Sequence, residues 1–271
     1  MGRLYLVALF VSYFLLQISI DGFSQMSIAN KLWVGQNSEY LLADSTIIRF
    51  ETFTEKFGNT RVARFYSISG DTLKIVEANK DESELTSNFV LKIDRNEKMT
   101  LTPVNSGASL LTNLITLDGA KENLIYKDIR NFQFDSLKFE KIIFSTTECY
   151  GTCPVMAIEI DNNKNFKFIG EKNSIATGHY YGKIPDAEYE KLLDILRLSQ
   201  LDSIHCGTDR NIDLSTYSLE IHYNDRSRNF KTCMLPFVLD NLKEFLISLP
   251  KSLRLNAAAH KFEILVDSEL K

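Results

Sequence analysis

The amino-acid sequence predicts a mostly β protein in two parts, an N-terminal antiparallel barrel and a C-terminal α+β domain with two helices on an antiparallel sheet. Three observations support this fold class. Short runs rich in β-branched and aromatic residues, separated by turn residues, fill the first half of the chain. The second half combines such runs with two segments of helical periodicity. A pair of cysteines, Cys149 and Cys153, lies near the point where the pattern changes.

The first residues have the pattern of an export signal. Arg3 provides a positive charge, an apolar run extends from Leu4 to Ile20, and Gly22 and Ser24 place small residues before a cleavage site. Cleavage after Ser24 predicts a protein exported to the periplasm or the extracellular space, with no membrane contact after signal removal. A permanent anchor is the alternative, because a run of about 17 apolar residues is near the lower limit for spanning a bilayer.

After the signal, the chain divides into two domains and a tail. The predicted segments are a signal peptide at 1–24, a β-domain at 25–136, an α+β domain at 137–255 and a tail at 256–271. The formal net charge is −4 and the sequence has no basic cluster, which excludes an electrostatic attraction to nucleic acid.

The N-terminal domain is predicted to contain seven short strands with turn residues between them. These strands are Lys31–Gln36, Thr46–Phe53, Arg61–Ser69, Thr72–Ala78, Thr86–Asp94, Lys98–Val104 and Asn123–Phe132. The tripeptide Ser69-Gly70-Asp71 joins two of them and predicts a tight hairpin. The segment Ser106–Leu117 is the exception, because its apolar residues fit a short helix or a lid.

Two segments of this domain carry a family resemblance. They are Leu32-Trp33-Val34-Gly35 in the first strand and Ile68–Leu73 at the hairpin. With them, the domain resembles the small lipocalin-like barrels of exported bacterial proteins, although Trp33 lacks the glycine two places earlier that lipocalins have. The resemblance implies a barrel that encloses an apolar ligand; a barrel filled by its own side chains is the alternative. We interpret Trp33 as a core residue.

The C-terminal domain is predicted to have the order β-β-β-α-β-β-α. Its strands are Lys138–Thr146, Pro154–Asp161, Phe166–Gly170, Tyr217–Tyr223 and Asn229–Met234. The segment Ile175–Gly182 is interpreted as a loop or edge strand. In the tail, Phe262–Val266 fits one more strand.

Both predicted helices have one apolar face. The first is capped by Asp186, and the second is opened by Pro236 and closed by Pro250. The residues expected to face inward are Tyr189, Leu192, Leu193 and Leu196 in the first helix and Val238, Leu242, Phe245, Leu246 and Leu249 in the second.

The four cysteines of an exported chain point to disulfide bonds. In an extended segment, the Cα atoms of Cys149 and Cys153 would be about 13 Å apart, whereas a disulfide needs roughly 4.4–6.8 Å. Gly151 allows the chain to fold back, so we predict a loop closed by this bond. If it forms, Cys206 and Cys233 are left for a second disulfide; two buried reduced thiols are the alternative.

The segment Cys149-x-x-x-Cys153-Pro154 also resembles the copper-binding motif of Sco-type thioredoxin-fold proteins. This resemblance implies a copper or thiol-redox protein with both thiolates and His179 or His222 as a third ligand. Against it, an activated thiolate usually lies at a helix N-terminus, whereas Val155–Ile160 alternates like a strand.

No enzyme motif is present. A cysteine nucleophile with His179 or His205 as its base is a further alternative, but nothing in the sequence fixes such a pair. The histidines, including His222 and His260, lack zinc-enzyme spacing, and the sequence has no Gly-x-Ser-x-Gly, P-loop or dinucleotide-binding motif. We therefore predict no catalytic residue and no cofactor, with copper as the alternative.

A second resemblance covers about Phe139 to Leu249. The motif Cys149-Tyr150-Gly151-Thr152-Cys153-Pro154, followed by the Val155–Ile160 strand, resembles a family of exported bacterial domains of unknown function. The resemblance implies a fold and export but no mechanism, and the additional cysteines Cys206 and Cys233 depart from its basic pattern. The expected function is a non-catalytic binding or structural module of the cell envelope. Its expected partner is an apolar small molecule or an envelope protein.

Overall fold

The computed structural model describes residues 28–36, 39–54, 58–77, 85–116, 123–132, 136–207 and 213–264. The predicted signal peptide at 1–24 lies outside the described residues. Within the described residues, no helix is long and apolar enough to cross a membrane. The chain divides into two compact units, which are Met1–Thr52 with Thr60–Asn131 and Phe53–Asn59 with Phe132–Lys271.

Eight strands form a closed antiparallel barrel in chain order. They are β1 (Lys31–Gly35), β2 (Tyr40–Ala43), β3 (Ile47–Thr54), β4 (Gly58–Ser69), β5 (Thr72–Glu77), β6 (Leu85–Ile93), β7 (Lys98–Pro103) and β8 (Leu124–Asp128). Antiparallel pairing of β1 with β8 closes the barrel. All seven predicted strands are present, and the last one ends at Asp128 and continues as a 3₁₀ helix over Ile129–Phe132.

Strand β2 was not predicted because its sequence has no alternation. Tyr40, Leu41 and Ala43 are all buried, so residues on both faces of this four-residue strand are apolar and inaccessible. A strand that is buried on both faces lacks the period-2 pattern on which the prediction depends.

The interior of the barrel is filled by its own side chains. Trp33, Phe50, Phe89, Leu101 and Tyr126 belong to one buried apolar cluster. Trp33 is fully buried, and its indole Nε1 donates a hydrogen bond to the carbonyl oxygen of Ile28 at 3.2 Å. Trp33 is therefore a core residue, as predicted, and the packing corresponds to the filled-barrel alternative.

Helix α1 (Ser106–Thr116) covers one mouth of the barrel. Asn105 caps it, because its Oδ1 accepts hydrogen bonds from the amides of Ala108 and Asn88, and its Nδ2 donates to the carbonyl oxygen of Thr86 at 2.9 Å. Three side chains of α1 pack into the barrel core: Ala108, Leu111 and Ile115. The segment predicted as a short helix or a lid forms a helix over Ser106–Thr116 that packs on the barrel core, and Leu117 lies outside the described residues.

The second sheet has seven strands in the order β14-β13-β9-β10-β11-β12-β15. The strands are β9 (Phe139–Thr146), β10 (Met156–Asp161), β11 (Asn165–Gly170), β12 (Gly178–Lys183), β13 (Tyr217–Tyr223), β14 (Arg226–Thr232) and β15 (Asn256–Ala257). All described pairings within this sheet are antiparallel. Strand β9 lies between β10 and β13. The β13–β14 hairpin, which is distant in sequence, therefore pairs with the sheet on the other side of β9 from β10.

Two α-helices accompany this sheet, α2 (Asp186–Leu198) and α3 (Asp240–Ser252). The predicted inward residues are buried in both helices, except Leu193, which is half-buried. The ring of Tyr189 in α2 contacts that of Phe139 in β9 edge-on, with the centroids 6.0 Å apart. These contacts agree with the predicted α+β class.

Several predicted boundaries are wrong. Pro185 occupies the N-cap position of α2, and Asp186 is the first helical residue, where its carboxylate accepts a hydrogen bond from Lys164 Nζ at 2.8 Å. Pro236 is the N-cap of a short 3₁₀ helix, Phe237–Leu239, that precedes α3. Pro250 lies inside α3, in its final turn, where a proline removes few hydrogen bonds.

The strand predictions near the tail also need correction. The segment interpreted as a loop or edge strand forms β12, which pairs with β11 along its length and with β15 at Tyr180 and Tyr181. In the tail, Phe262–Ile264 is not a strand, and residues 265–271 lie outside the described part of the chain. Among the described tail residues, Asn256 and Ala257 pair with β12, and the amide of Ala258 donates to the carbonyl oxygen of His179 at 2.8 Å.

Candidate functional site

The predicted Cys149–Cys153 disulfide is confirmed. Thr146 ends β9 and Met156 begins β10, and the bond closes the connection between them with a Cα–Cα distance of 5.8 Å. Gly151 lies between the two cysteines, but its φ is outside the left-handed region and a methyl group at its Cα would meet only Cys149 Sγ, at 3.7 Å, so the turn forms without requiring a glycine.

Hydrogen bonds tie this disulfide loop to two neighbouring loops. The amide of Tyr150 donates to the carbonyl oxygen of Asp213 at 3.2 Å. Asn173 Nδ2 donates to the carbonyl oxygen of Cys153 at 3.3 Å, and the amide of Val155 donates to the carbonyl oxygen of Lys172 at 2.8 Å. The loops after β9, after β11 and before β13 therefore meet at one end of the sheet.

Large apolar side chains are exposed on these loops. Tyr150 is 92% exposed at the tip of the disulfide loop, and Ile175 and Leu214 are about half exposed on the neighbouring loops. An ion pair of 2.7 Å joins Lys172 Nζ to Glu148 Oε1 beside the disulfide. The cross-linked loop thus presents a solvent-facing aromatic ring on a constrained backbone.

The disulfide occupies the two sulfurs that the copper alternative requires as thiolates. Soft-metal binding and nucleophilic attack both need a thiolate, and neither sulfur of a disulfide is one. His179 lies in β12, where its Nδ1 accepts a hydrogen bond from the amide of Phe262 at 3.4 Å. His222 lies in β13, with its Nε2 against Glu220 Oε1. The described residues contain no group of three His, Cys, Asp or Glu side chains able to hold a metal ion.

The predicted Cys206–Cys233 disulfide is not formed in this structure, in which both residues are thiols. The Sγ of Cys206 donates to the carbonyl oxygen of Gly207 at 3.4 Å. The loop that holds Cys206 is tied beside the middle of β14, because Arg228 donates to the carbonyl oxygen of Ile204 at 2.5 Å. Cys233 follows the end of that strand, so the hairpin alone does not bring the two sulfurs together.

A second candidate site lies between α1 and the barrel wall. We call it the mouth groove, and it has a volume of about 110 Å³. Its apolar lining comes from Ile75 of β5 and from Leu110, Leu111 and Leu114 of α1. Its polar lining consists of Arg64, Glu77 and Ser87.

A second depression, which we call the outer groove, shares Arg64 and Glu77 with the mouth groove and measures about 260 Å³. Its other lining residues are Ile47, Ala63, Phe65 and Val76. Leu110 is 62% exposed and Phe65 is 60% exposed, so large apolar side chains lie open to solvent at both grooves.

The polar residues of the mouth groove form an accessible ion pair and one hydroxyl group without a hydrogen bond in the described part of the chain. Arg64 Nη2 lies 2.5 Å from Glu77 Oε1, and Arg64 Nη1 donates to the carbonyl oxygen of Ala63 at 2.9 Å. Ser87 is only 6% exposed, and within the described part of the chain its hydroxyl makes no hydrogen bond. The Ser87 oxygen is not among the buried side-chain atoms that lack a partner, so it can be reached from the groove.

A small cavity lies at the other end of α1. Thr116, Gly35, Glu39 and Tyr126 are among its lining residues, and its volume of about 10 Å³ is room for one water molecule. The hydroxyl of Tyr126 is buried and has no hydrogen-bond partner among the described residues. Burial raises the pKa of this hydroxyl, and the nearby Glu39 carboxylate raises it further. The cavity is too small for an organic ligand.

Two leucines of α1 carry a sequence signal for the mouth groove. Leu110 and Leu114 are four residues apart in α1, on a different face from the buried Leu111 and Ile115. A surface helix with apolar residues on both faces has one face that the fold itself does not bury. The register that places this helix beside Arg64 could not be predicted locally.

Comparison with known families supports one part of the second resemblance, a domain of unknown function in the C-terminal half. Residues 140–248 match the family described as Domain of unknown function (DUF6438). This segment includes the disulfide loop, and the match supports a domain of unknown function in the C-terminal half. No curated protein matches the chain.

Proposed function

We propose that this chain is an exported, non-catalytic binding module of the cell envelope that binds an apolar small molecule at the mouth groove and the outer groove. One observation carries the proposal. Exposed apolar side chains, Leu110, Leu114 and Phe65, line two adjoining grooves that share a single ion pair. Burying such side chains against a ligand is favourable by about 25 cal/mol for each Å² of apolar surface.

The volumes of the two grooves limit the ligand. Sites for small molecules usually measure about 300–1,000 Å³, whereas the mouth groove measures about 110 Å³. A slender apolar chain fits the mouth groove, and the outer groove of about 260 Å³ can accept a wider part of the same molecule.

Export and a lipocalin-like origin of the barrel belong to the same proposal. The Cys149–Cys153 disulfide supports export, because disulfides persist in oxidising compartments. The apolar run Leu4–Ile20 followed by Ser24 supports it independently. The barrel connects its eight strands in chain order, which is the up-and-down architecture of lipocalins.

An envelope protein is a second candidate partner, favoured by the disulfide loop. Tyr150 is the most exposed large apolar residue described, and Ile175 and Leu214 lie on the adjoining loops. Tyrosine is enriched among the residues that dominate binding energy in protein interfaces. A loop closed by a disulfide also loses less conformational entropy on binding than an open loop.

The first test measures binding of the neutral apolar fluorophore N-phenyl-1-naphthylamine to the full chain. We expect saturable binding that is weakened about tenfold by Leu110→Gln or Leu114→Gln, because each removes a large part of the apolar contact. Ile175→Gln is the matched control, since Ile175 is similarly exposed but lies on a loop of the second sheet. Absence of saturable binding, or equal weakening by the control, would contradict the proposal.

A further inference from the structure

We infer that the ligand of the mouth groove has a neutral polar group that both donates and accepts hydrogen bonds, such as an amide or an alcohol, beside its apolar chain. Carboxylates and ammonium groups are selected against. The inference rests on the proposed function, and it specifies the chemical class that the groove would take.

The ion pair is placed where a ligand in either groove would meet it. Phe65 of β4 pairs with Val76 of β5, so Arg64 and Glu77 are neighbours across the two strands. Tyr66 is buried in the core, and Arg64 occupies the same face of β4, two residues nearer to the mouth. The Arg64 side chain is 27% exposed and that of Glu77 is 39% exposed, so both can contact a ligand.

Both members of the pair retain hydrogen-bonding capacity. A guanidinium has five N–H groups, and Arg64 directs one at Glu77 and another at the carbonyl oxygen of Ala63. A carboxylate has about four acceptor positions, and the contact with Arg64 occupies one of them. The pair can therefore bind one acceptor atom and one donor atom of a ligand while it stays intact.

The charges of the pair select a neutral group. A carboxylate placed beside Arg64 would also lie beside the Glu77 carboxylate, which repels it. An ammonium group beside Glu77 would also lie beside the Arg64 guanidinium, which repels it. Like charges held side by side in an interface are strongly unfavourable, so the pair penalises both ions. An amide avoids the penalty, because its carbonyl accepts from Arg64 and its N–H donates to Glu77.

Ser87 supports the inference independently of the ion pair. Ser87 pairs with Ile75 across β5 and β6, one step deeper in the groove than Glu77. Its hydroxyl makes no hydrogen bond to the described residues and is not fully buried, so it is accessible from the groove that Ser87 lines. A polar atom of the ligand at this depth could therefore form a hydrogen bond with the Ser87 hydroxyl.

The test uses four eight-carbon probes that differ only in their polar group: octanamide, octan-1-ol, octanoate and octylammonium. Each competes with N-phenyl-1-naphthylamine for the full chain at neutral pH. In the unaltered protein, we expect octanamide and octan-1-ol to compete about tenfold better than either ion. Glu77→Gln should reverse the order between octanoate and the neutral probes, because it leaves Arg64 unopposed. Arg64→Gln should instead favour octylammonium.

The matched control is Asp44→Asn, which alters another partly exposed ion pair of the barrel, Asp44 with Arg49 at 3.0 Å. It should leave the order of the probes unchanged. If the fluorophore and all four probes fail to bind, the proposed function itself is wrong. If all four compete equally and neither Glu77→Gln nor Arg64→Gln changes their order, binding stands and the inferred selectivity is overturned. The two opposite substitutions keep the test decisive if one variant fails to fold.

Discussion

Removal of the Cys149–Cys153 disulfide tests how the second sheet is stabilised. The bond closes a loop of five residues, counting both cysteines. In the chain-entropy model, a loop of this size stabilises the folded state by about 2 kcal/mol at 25 °C. The double substitution Cys149→Ser/Cys153→Ser should therefore lower the free energy of unfolding by about 2 kcal/mol.

The structure indicates that the loss should not be much larger. The loop is also held by the hydrogen bond from the Tyr150 amide to Asp213 and by that from Thr146 Oγ1 to the carbonyl oxygen of Pro154. These contacts do not involve the sulfurs and should survive the substitution. The variant should fold, with β9 and β10 still paired.

The assay is urea unfolding followed by circular dichroism, with hydrogen exchange at the amides of β9 and β10. Fluorescence is unsuitable for this sheet, because the single tryptophan, Trp33, lies in the barrel. Cys206→Ser/Cys233→Ser is the matched control and should cost less than about 1 kcal/mol, since it replaces two thiols.

Two results would refute the reasoning about the cysteines. A loss below about 0.5 kcal/mol in the Cys149→Ser/Cys153→Ser variant would mean that the bond does not restrict the unfolded chain as the model assumes. The control variant could also lose about 3–4 kcal/mol relative to the unaltered protein. If that difference disappears when the unaltered protein is reduced before unfolding, Cys206 and Cys233 form a bond in solution.

Three other predictions concern single residues. Gly170→Ala should lower the free energy of unfolding in urea by about 2–3 kcal/mol, because the new methyl group would clash with the Ala176 carbonyl oxygen. Gly182→Ala is the control, since the atom nearest to its methyl group would be 3.4 Å away. Burial, followed by a hydrogen bond to a carboxylate, raises the pKa of Tyr223 to about 12. Its stabilising contribution is present below pH 10 and should be lost as the pH rises through 12, so Tyr223→Phe should flatten the alkaline side of the stability profile. Hydrogen bonds from two backbone amides lower the pKa of Asp44 to about 2. The stability that this carboxylate contributes is present above about pH 4 and is lost as the pH falls through 2. Asp44→Ala should therefore flatten the acid side of the stability profile.

The parts of the fold that could be predicted depend on short-range patterns. The alternation of buried Phe89 and Leu91 in β6 and the periodicity of Leu242–Leu249 each reflect one buried face, and both segments form the predicted element, although Ile93 at the end of β6 is exposed. Strand β2 could not be found in this way, because both of its faces are buried. Pro250 shows the limit of a local rule, since tertiary packing continues α3 past a residue that normally ends a helix.

For the candidate sites, the same division holds. The Cys149–Cys153 bond joins residues four apart, so Gly151 and the spacing were sufficient to predict it. The mouth groove combines Arg64, Glu77 and Leu110, which lie in two strands and a helix that no local pattern places together. Its prediction would have required the register of β4 against β5 and the position of α1 over the barrel.

The sequence by itself determined the β-rich class, most strand and helix positions and the disulfide loop. Each of these follows from side-chain periodicity or chain reach over a few residues. Only the tertiary structure decided that β1 closes on β8, that β13 joins β9, and that the interior is filled. It also decided that Cys206 and Cys233 stay thiols. These outcomes depend on contacts between distant segments, whose free energies are summed over the whole packed core and leave no short-range pattern.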